Sequence, residues 1–144
     1  MELARVALAR GATAYLDTNA LIYLTEGDPA FKSQIAAVMA AIDAARARVI
    51  TSELALTEVM VKPYREHDEV LIADYERLFA DLVSALPLRR DELLFAARLR
   101  ADHASLRTPD ALHLATALLA SADVFVTGDA QLKHFAPTLV KWML

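Results

Sequence analysis

The chain has 144 residues, no cysteine, three glycines and a formal net charge of −4, with 56% of its residues hydrophobic and 24% charged. That length suits one domain with a real core, and no run approaches the ~20 consecutive apolar residues of a membrane span. The missing cysteine excludes disulfides and thiol chemistry, the scattered glycines exclude glycine-rich phosphate loops, and the acidic balance argues against holding nucleic acid by a broad basic surface.

The opening MELARVALARG resembles a secretion signal only in outline. Arg5 and Arg10 bracket too short an apolar stretch and no clear cleavage site follows, so a cytoplasmic protein is expected. ATAYLD then reads as a short buried strand, and TNALIYLTEG as a helix that starts directly after it and stops near Gly27. In DPAFKSQIAAVMAAIDAARAR, Pro29 suits a first helical position, and Ile35, Val38, Met39 and Ile42 recur at helical spacing. RVITS is a β-rich run, and SELALTEVMVKPY a helix expected to end close to Pro63. Two further helices are expected over residues 67–86 and 90–104, with room for a short strand in the intervening LPLRR. TPDALHLATALLAS reads as a helix with Thr108 as its cap, Pro109 in the first turn and Asp110 near the positive end of the dipole. DVFVTGDAQL repeats the opening pattern of strand, polar turn and short helix, and TLVKWML supplies a last strand. Strands alternating with helices predict an α/β fold with a mostly parallel sheet covered on both faces, whose ligands sit beyond the carboxyl ends of the strands.

That rule draws attention to the carboxylates. Asp17 ends the first strand and Asp129 follows the late strand DVFVT, so both belong at the carboxyl edge of the sheet. Asp110, in the first turn of the helix before that strand, can project toward the same edge. Glu58 sits well past the start of its helix among Leu54, Leu56, Val59, Met60 and Val61, where a lone glutamate is usually avoided. Singly, each aspartate can be a cap or a dipole partner worth about 0.5–2 kcal/mol, and Glu58 can lie on a solvated face with Glu53 and Lys62. Together they are costly, because two unit negative charges about 4 Å apart repel by roughly 4 kcal/mol at an effective dielectric of about 20. A cation among them removes the penalty. Mg²⁺ or Mn²⁺, which favour oxygen donors and bridge to phosphate, suit such a set. The four histidines, His67, His103, His113 and His134, form no HExxH pair, which argues against a zinc hydrolase.

YLDTNALIYL, TSELALTEVM, TPDALHLATA and VFVTGDAQL together resemble the four acidic motifs of PIN-domain nucleases, in that family's order, from about Tyr15 to the end of the chain. The chain is most similar to the small single-domain members that act as VapC-type toxins of toxin–antitoxin pairs. The resemblance implies a PIN-like three-layer α/β/α fold with a short, mostly parallel central sheet flanked by helices. It implies a single domain over residues 1–144, with residues 1–11 as an extension, since the family's first strand starts almost at the initiating methionine. It also implies that Asp17, Glu58, Asp110 and Asp129 form an acidic quartet binding one or two Mg²⁺ (or Mn²⁺) ions, with Asp17 and Asp110 as direct ligands. Thr127 would support the late aspartate, and Asn19 would be a polar residue beside the site. The implied partners are RNA, a cognate antitoxin protein that presents a basic residue to the acids, and a second copy in a homodimer.

The expected reaction is metal-assisted hydrolysis of an RNA phosphodiester by a bound water, which needs neither a protein nucleophile nor a ribose 2′-hydroxyl. Single-stranded or loop RNA is favoured, since a narrow acidic cleft admits splayed nucleotides more easily than a duplex. His113, one turn after Asp110, is expected to position neighbours or to pack. Arg89, Arg90, Arg98, Arg100 and Arg107, with Lys62, Tyr64 and Arg65, are candidate RNA contacts or else solvated helix faces. Two other readings compete. A haloacid-dehalogenase-like magnesium-dependent phosphatase also opens on a strand-terminal aspartate, but that family has Asp where Asn19 stands. A non-catalytic PIN-like module that binds RNA or a partner is the other.

Overall fold

The computed structural model describes residues 7–144, so residues 1–6 of the expected N-terminal extension lie outside the described residues. Five short runs rich in β-branched, aromatic and small apolar residues form the strands β1 (Thr13–Leu16), β2 (Arg48–Ser52), β3 (Ser84–Leu86), β4 (Val124–Thr127) and β5 (Lys141–Met143). They pair in parallel throughout, in the order β3-β2-β1-β4-β5. Parallel neighbours need crossover connections. Helices α1 (Thr18–Glu26) and α2 (Lys32–Ala45) join β1 to β2, α3 (Leu54–Arg65) and α4 (Glu69–Arg77) join β2 to β3, and α5 (Arg90–Asp102) and α6 (Thr108–Leu119) join β3 to β4.

Strand alternation sorts the core into two layers. Ala14 and Leu16 of β1, Val49 of β2, and Val124 and Val126 of β4 pack with Leu21, Val38, Ile42, Val59 and Tyr75 from α1 to α4. Tyr15, Ile50 and Phe125, on the opposite face of the same strands, pack with Ala96 of α5 and with Ala111, Leu114 and Ala115 of α6. Each fully buried Leu, Ile, Val or Phe stabilises the fold by about 1.5–3 kcal/mol. The expected three-layer α/β/α arrangement is the one observed.

The strand order places the site. From β1 the chain moves outward through β2 to β3, then returns through α5 and α6 to start β4 on the other side of β1. The order therefore reverses between β1 and β4, and a parallel sheet opens a ligand crevice at the carboxyl ends of such a pair. Asp17 follows β1 there, and Asp129 follows β4.

Three local expectations need correction. Pro29 lies in a turn, closed by Phe31 N–H donating to Asp28 O at 3.1 Å, and α2 starts only at Lys32. The expected end of α3 close to Pro63 is the one observed, at Arg65. The stretch expected as one helix to residue 86 instead winds from α4 into a π turn, Leu78–Leu82, and then enters β3, so the short strand ends on the first residue of LPLRR rather than lying within it. Finally, Arg107 in extended backbone is the cap of α6, with Thr108 as its first helical residue.

Candidate active site

Asp17 is the N-cap of α1. Its Oδ1 accepts from Ala20 N–H at 3.0 Å, and its own N–H donates to Val126 O at 3.1 Å, which ties the β1–α1 junction to β4. At the end of β4 the buried Thr127 stands between two acids: its hydroxyl accepts from Asp129 N–H at 3.0 Å and lies near enough to the Asp17 carboxylate to favour its charged form. Asp129 caps the one-turn segment Ala130–His134, its Oδ1 accepting from Gln131 N–H at 2.9 Å. Asp110 stands in the first turn of α6, 3.5 Å from the exposed Arg107 guanidinium. Capping is thus a true description of Asp17 and Asp129, but an incomplete one.

Gly128, between Thr127 and Asp129, is required by close packing. A Cβ there would meet the Tyr23 ring at 2.9 Å, and that ring is stacked on Phe31 with centroids 4.0 Å apart. Gly128→Ala should therefore cost about 1–2 kcal/mol of overpacking, read as a lower midpoint in urea denaturation with unchanged m.

The electrostatics separate these carboxylates. Asp17 is only 5% exposed, and burial pushes its carboxyl up to about 6. The Thr127 hydroxyl, the hydrogen bond from Ala20 and the nearby His113 oppose that rise, while the charge of Asp110 adds to it. The Asp110 carboxyl is also raised, first by burial and further by Asp129, against the pull of Arg107. Asp110 thus sits within electrostatic reach of both Asp17 and Asp129.

Glu58 reaches the site through other residues. Its Oε1 takes hydrogen bonds from His113 Nε2 at 2.6 Å and from Thr18 Oγ1 at 2.9 Å. His113 is buried, and its Nδ1 lies 2.6 Å from the hydroxyl of Tyr15, whose ring it meets edge-on. Burial holds the Tyr15 phenol well above its ordinary value, so it keeps its proton. The ionised Glu58 carboxylate can only accept, so Nε2–H donates to it, and in the neutral imidazole Nδ1 then accepts from the Tyr15 O–H. Burial raises the Glu58 carboxyl, but the bond from His113, with Thr18 and Arg107, outweighs it, and the net direction is down.

Thr127 and the three aspartates are therefore brought together, Glu58 is held at their margin by His113, and Asn19 is exposed on the first turn of α1. Tyr15 and Thr18 were not singled out from the sequence. The available signal was that Tyr15 falls on the strand face toward α6, where His113 follows Asp110 by one turn. Two candidate RNA-contacting cations are already engaged, Lys62 with Glu26 at 2.7 Å and Arg107 with Asp110.

As the side chains stand, no three His, Asp or Glu groups among the described residues are gathered tightly enough to enclose a metal ion. The donor set nonetheless suits a hard divalent cation. It offers carboxylate oxygens and a hydroxyl and no sulfur, and the upward shifts of the buried Asp17 and of Asp110 are those a cation would reverse.

This fold and edge define a class: the chain belongs to the PIN domain family, whose model matches residues 14–136. Among solved structures it is similar to VapBC2 from Rickettsia felis bound to a DNA fragment from their promoter, with a TM-score of 0.71 and 16% identity, covering 90% of this chain and 96% of that one. It is also similar to FitAcB from Neisseria gonorrhoeae, with a TM-score of 0.67 and 16% identity at the same coverage. A toxin–antitoxin complex from Klebsiella pneumoniae gives a TM-score of 0.63 and 25% identity, covering 89% of this chain and 96% of that one. No curated protein matches the chain.

Proposed function

We propose that this PIN domain is a metal-dependent endoribonuclease in which Asp17, Asp110 and Asp129 hold Mg²⁺ or Mn²⁺ and Glu58 completes the acidic quartet. The observation that carries the reading is Asp17, a carboxylate almost wholly buried at the β1/β4 reversal, with Asp110 in electrostatic reach of it and Asp129 in reach of Asp110. When bound, such an ion lowers the pKa of a coordinated water, orients it and neutralises charge on the phosphoryl oxygens. The chain supplies the arrangement. Ala20 N–H fixes the Asp17 carboxylate, with the Thr127 hydroxyl nearby, and α6 presents Asp110 from its positive end. His113 and Thr18 both hold Oε1 of Glu58, which leaves Oε2 to orient a water. Arg107, exposed at the rim, is suited to meet a phosphate.

The substrate is single-stranded or loop RNA. The likeness to toxin–antitoxin complexes supports reading the chain as the toxin of such a pair, with a cognate antitoxin presenting a basic residue to the acids and a second copy forming a homodimer. We take residues 1–144 as one cytoplasmic domain. No described helix is long and apolar enough to cross a membrane.

Labelled RNA and p-nitrophenyl phosphate, each incubated with Mg²⁺, Mn²⁺ or a chelator, test the reading. RNA is expected to be cut internally, only with metal, while the ester stays intact. Ester hydrolysis with intact RNA would establish the phosphatase instead, and inertness toward both would leave a binding module.

A further inference from the structure

Next to the aspartates, the loop before α6 and the segment Ala130–His134 border an open pocket of about 510 Å³ lined by His103, Ser105, Gln131, His134 and Phe135. Both walls lead directly into the acidic centre. Gln131 N–H donates to the Asp129 carboxylate at 2.9 Å, and the loop ends at Arg107, the partner of Asp110.

The walls are braced. Leu106 N–H donates to His103 O at 3.0 Å, and Arg100 Nε to Leu106 O at 3.0 Å. On the other side the Lys141 ammonium donates to the carbonyls of Phe135 and Ala136. His103 and Phe135 meet edge to face, with centroids 5.1 Å apart and planes at 71°, forming an aromatic corner beside the amide of Gln131 and the hydroxyl of Ser105.

The lining narrows the ligand. It contains no Lys or Arg, so it is not built to select a phosphate, and no Asp or Glu, so it does not repel a nucleotide. Two imidazoles fall short of a metal set, and no group of three possible ligands is gathered among the described residues. Flat π surfaces with amide and hydroxyl groups at their edge are instead the means by which proteins read unstacked bases. A volume of this order accepts one nucleoside.

We propose that this pocket is a nucleobase subsite, which receives the base adjoining the phosphate held at the aspartates and so sets the base preference at one position beside the cut. His103 and Phe135 supply stacking surface, while Gln131 and Ser105 read the edge of the base. As a substrate subsite it rests on the ribonuclease reading. Its capacity to bind a base does not, and the experiment keeps the two apart.

The metal-free full-length protein is titrated with AMP, GMP, CMP, UMP and ribose 5-phosphate while the imidazole C–H resonances of His103, His134 and His67 are followed by NMR. At least one nucleotide is expected to shift His103 and His134 and leave His67, on the α3–α4 link, in place. Ribose 5-phosphate is expected to shift none, and Gln131→Ala to weaken the binding about fivefold to tenfold. No response to any nucleotide, or an equal response to ribose 5-phosphate, would overturn the subsite whether or not the protein cuts RNA. In cleavage of a mixed-sequence RNA, Gln131→Ala should relax the preference at one flanking base by about tenfold. An unchanged preference would overturn the assignment, and a nucleotide response without any RNA cleavage would remove the ribonuclease reading alone.

Discussion

Asp17→Asn is expected to abolish metal-dependent RNA cleavage and, in the same variant, to stabilise the metal-free protein at pH 7.5. The first effect follows from loss of a metal ligand. The several kcal/mol of charge stabilisation that an ion supplies correspond to a fall of about a thousandfold or more. The second follows from burial. With its carboxyl pushed from 3.8 to about 6, Asp17 holds a proton more tightly in the folded chain than in the unfolded one. The stability it contributes is complete below its unfolded value and is lost as pH rises through about 6. The loss has a ceiling of about 3 kcal/mol, and a neutral amide of the same shape avoids most of it. Thermal denaturation without metal should therefore place Asp17→Asn roughly 5–10 °C above the parent at pH 7.5, with the gap closing toward pH 4. Saturating Mn²⁺ should raise the parent and leave the variant where it was. A variant less stable than its parent at pH 7.5 would contradict the desolvated carboxylate, and retained cleavage would contradict its role as a ligand.

His113→Leu should damage stability and catalysis together. It strips the acceptor from the buried Tyr15 hydroxyl and the donor from Glu58. An orphaned buried hydroxyl costs about 1–3 kcal/mol, and partners that orient a metal-site carboxylate are commonly worth ten- to a hundredfold. The expected result is a denaturation midpoint lower by about 2 kcal/mol and a kcat lower by about tenfold or more, with KM little changed. His113→Gln keeps an N–H where Nε2 donates and should recover part of kcat. Tyr15→Phe keeps the ring stacked on Phe125 at 5.0 Å and should show a smaller loss in the same direction. Equal kcat in the Leu and Gln variants would reduce His113 to packing.

Much of this was legible in the sequence because the informative residues are local. RVITS and DVFVT carry the β-branched signal of a strand buried on both faces, and the acids that follow strands announce the carboxyl edge before any contact is known. β3 was legible as a short strand but not in its place: Ser84–Leu86 is three residues long, and the apolar residues before it keep helical spacing into the π turn. Pro29 misled because proline constrains φ and removes a donor, but neighbouring turns and tertiary packing decide where a helix starts. The relay from Tyr15 through His113 to Glu58 joins residues 98 and 55 positions apart. Only the sheet order, which returns α6 across β1, brings them into contact, and no local spacing encodes that. The same holds for the pocket, whose walls come from the two loops that also carry Asp110 and Asp129.

The most direct measurement is a crystal of the protein soaked in Mn²⁺ and read by anomalous scattering. A manganese peak bounded by the carboxylates of Asp17, Asp110 and Asp129, and lost in Asp110→Asn, is the result expected. A peak elsewhere on the protein, or none at a concentration that supports RNA cleavage, would contradict the metal centre at the β1/β4 reversal.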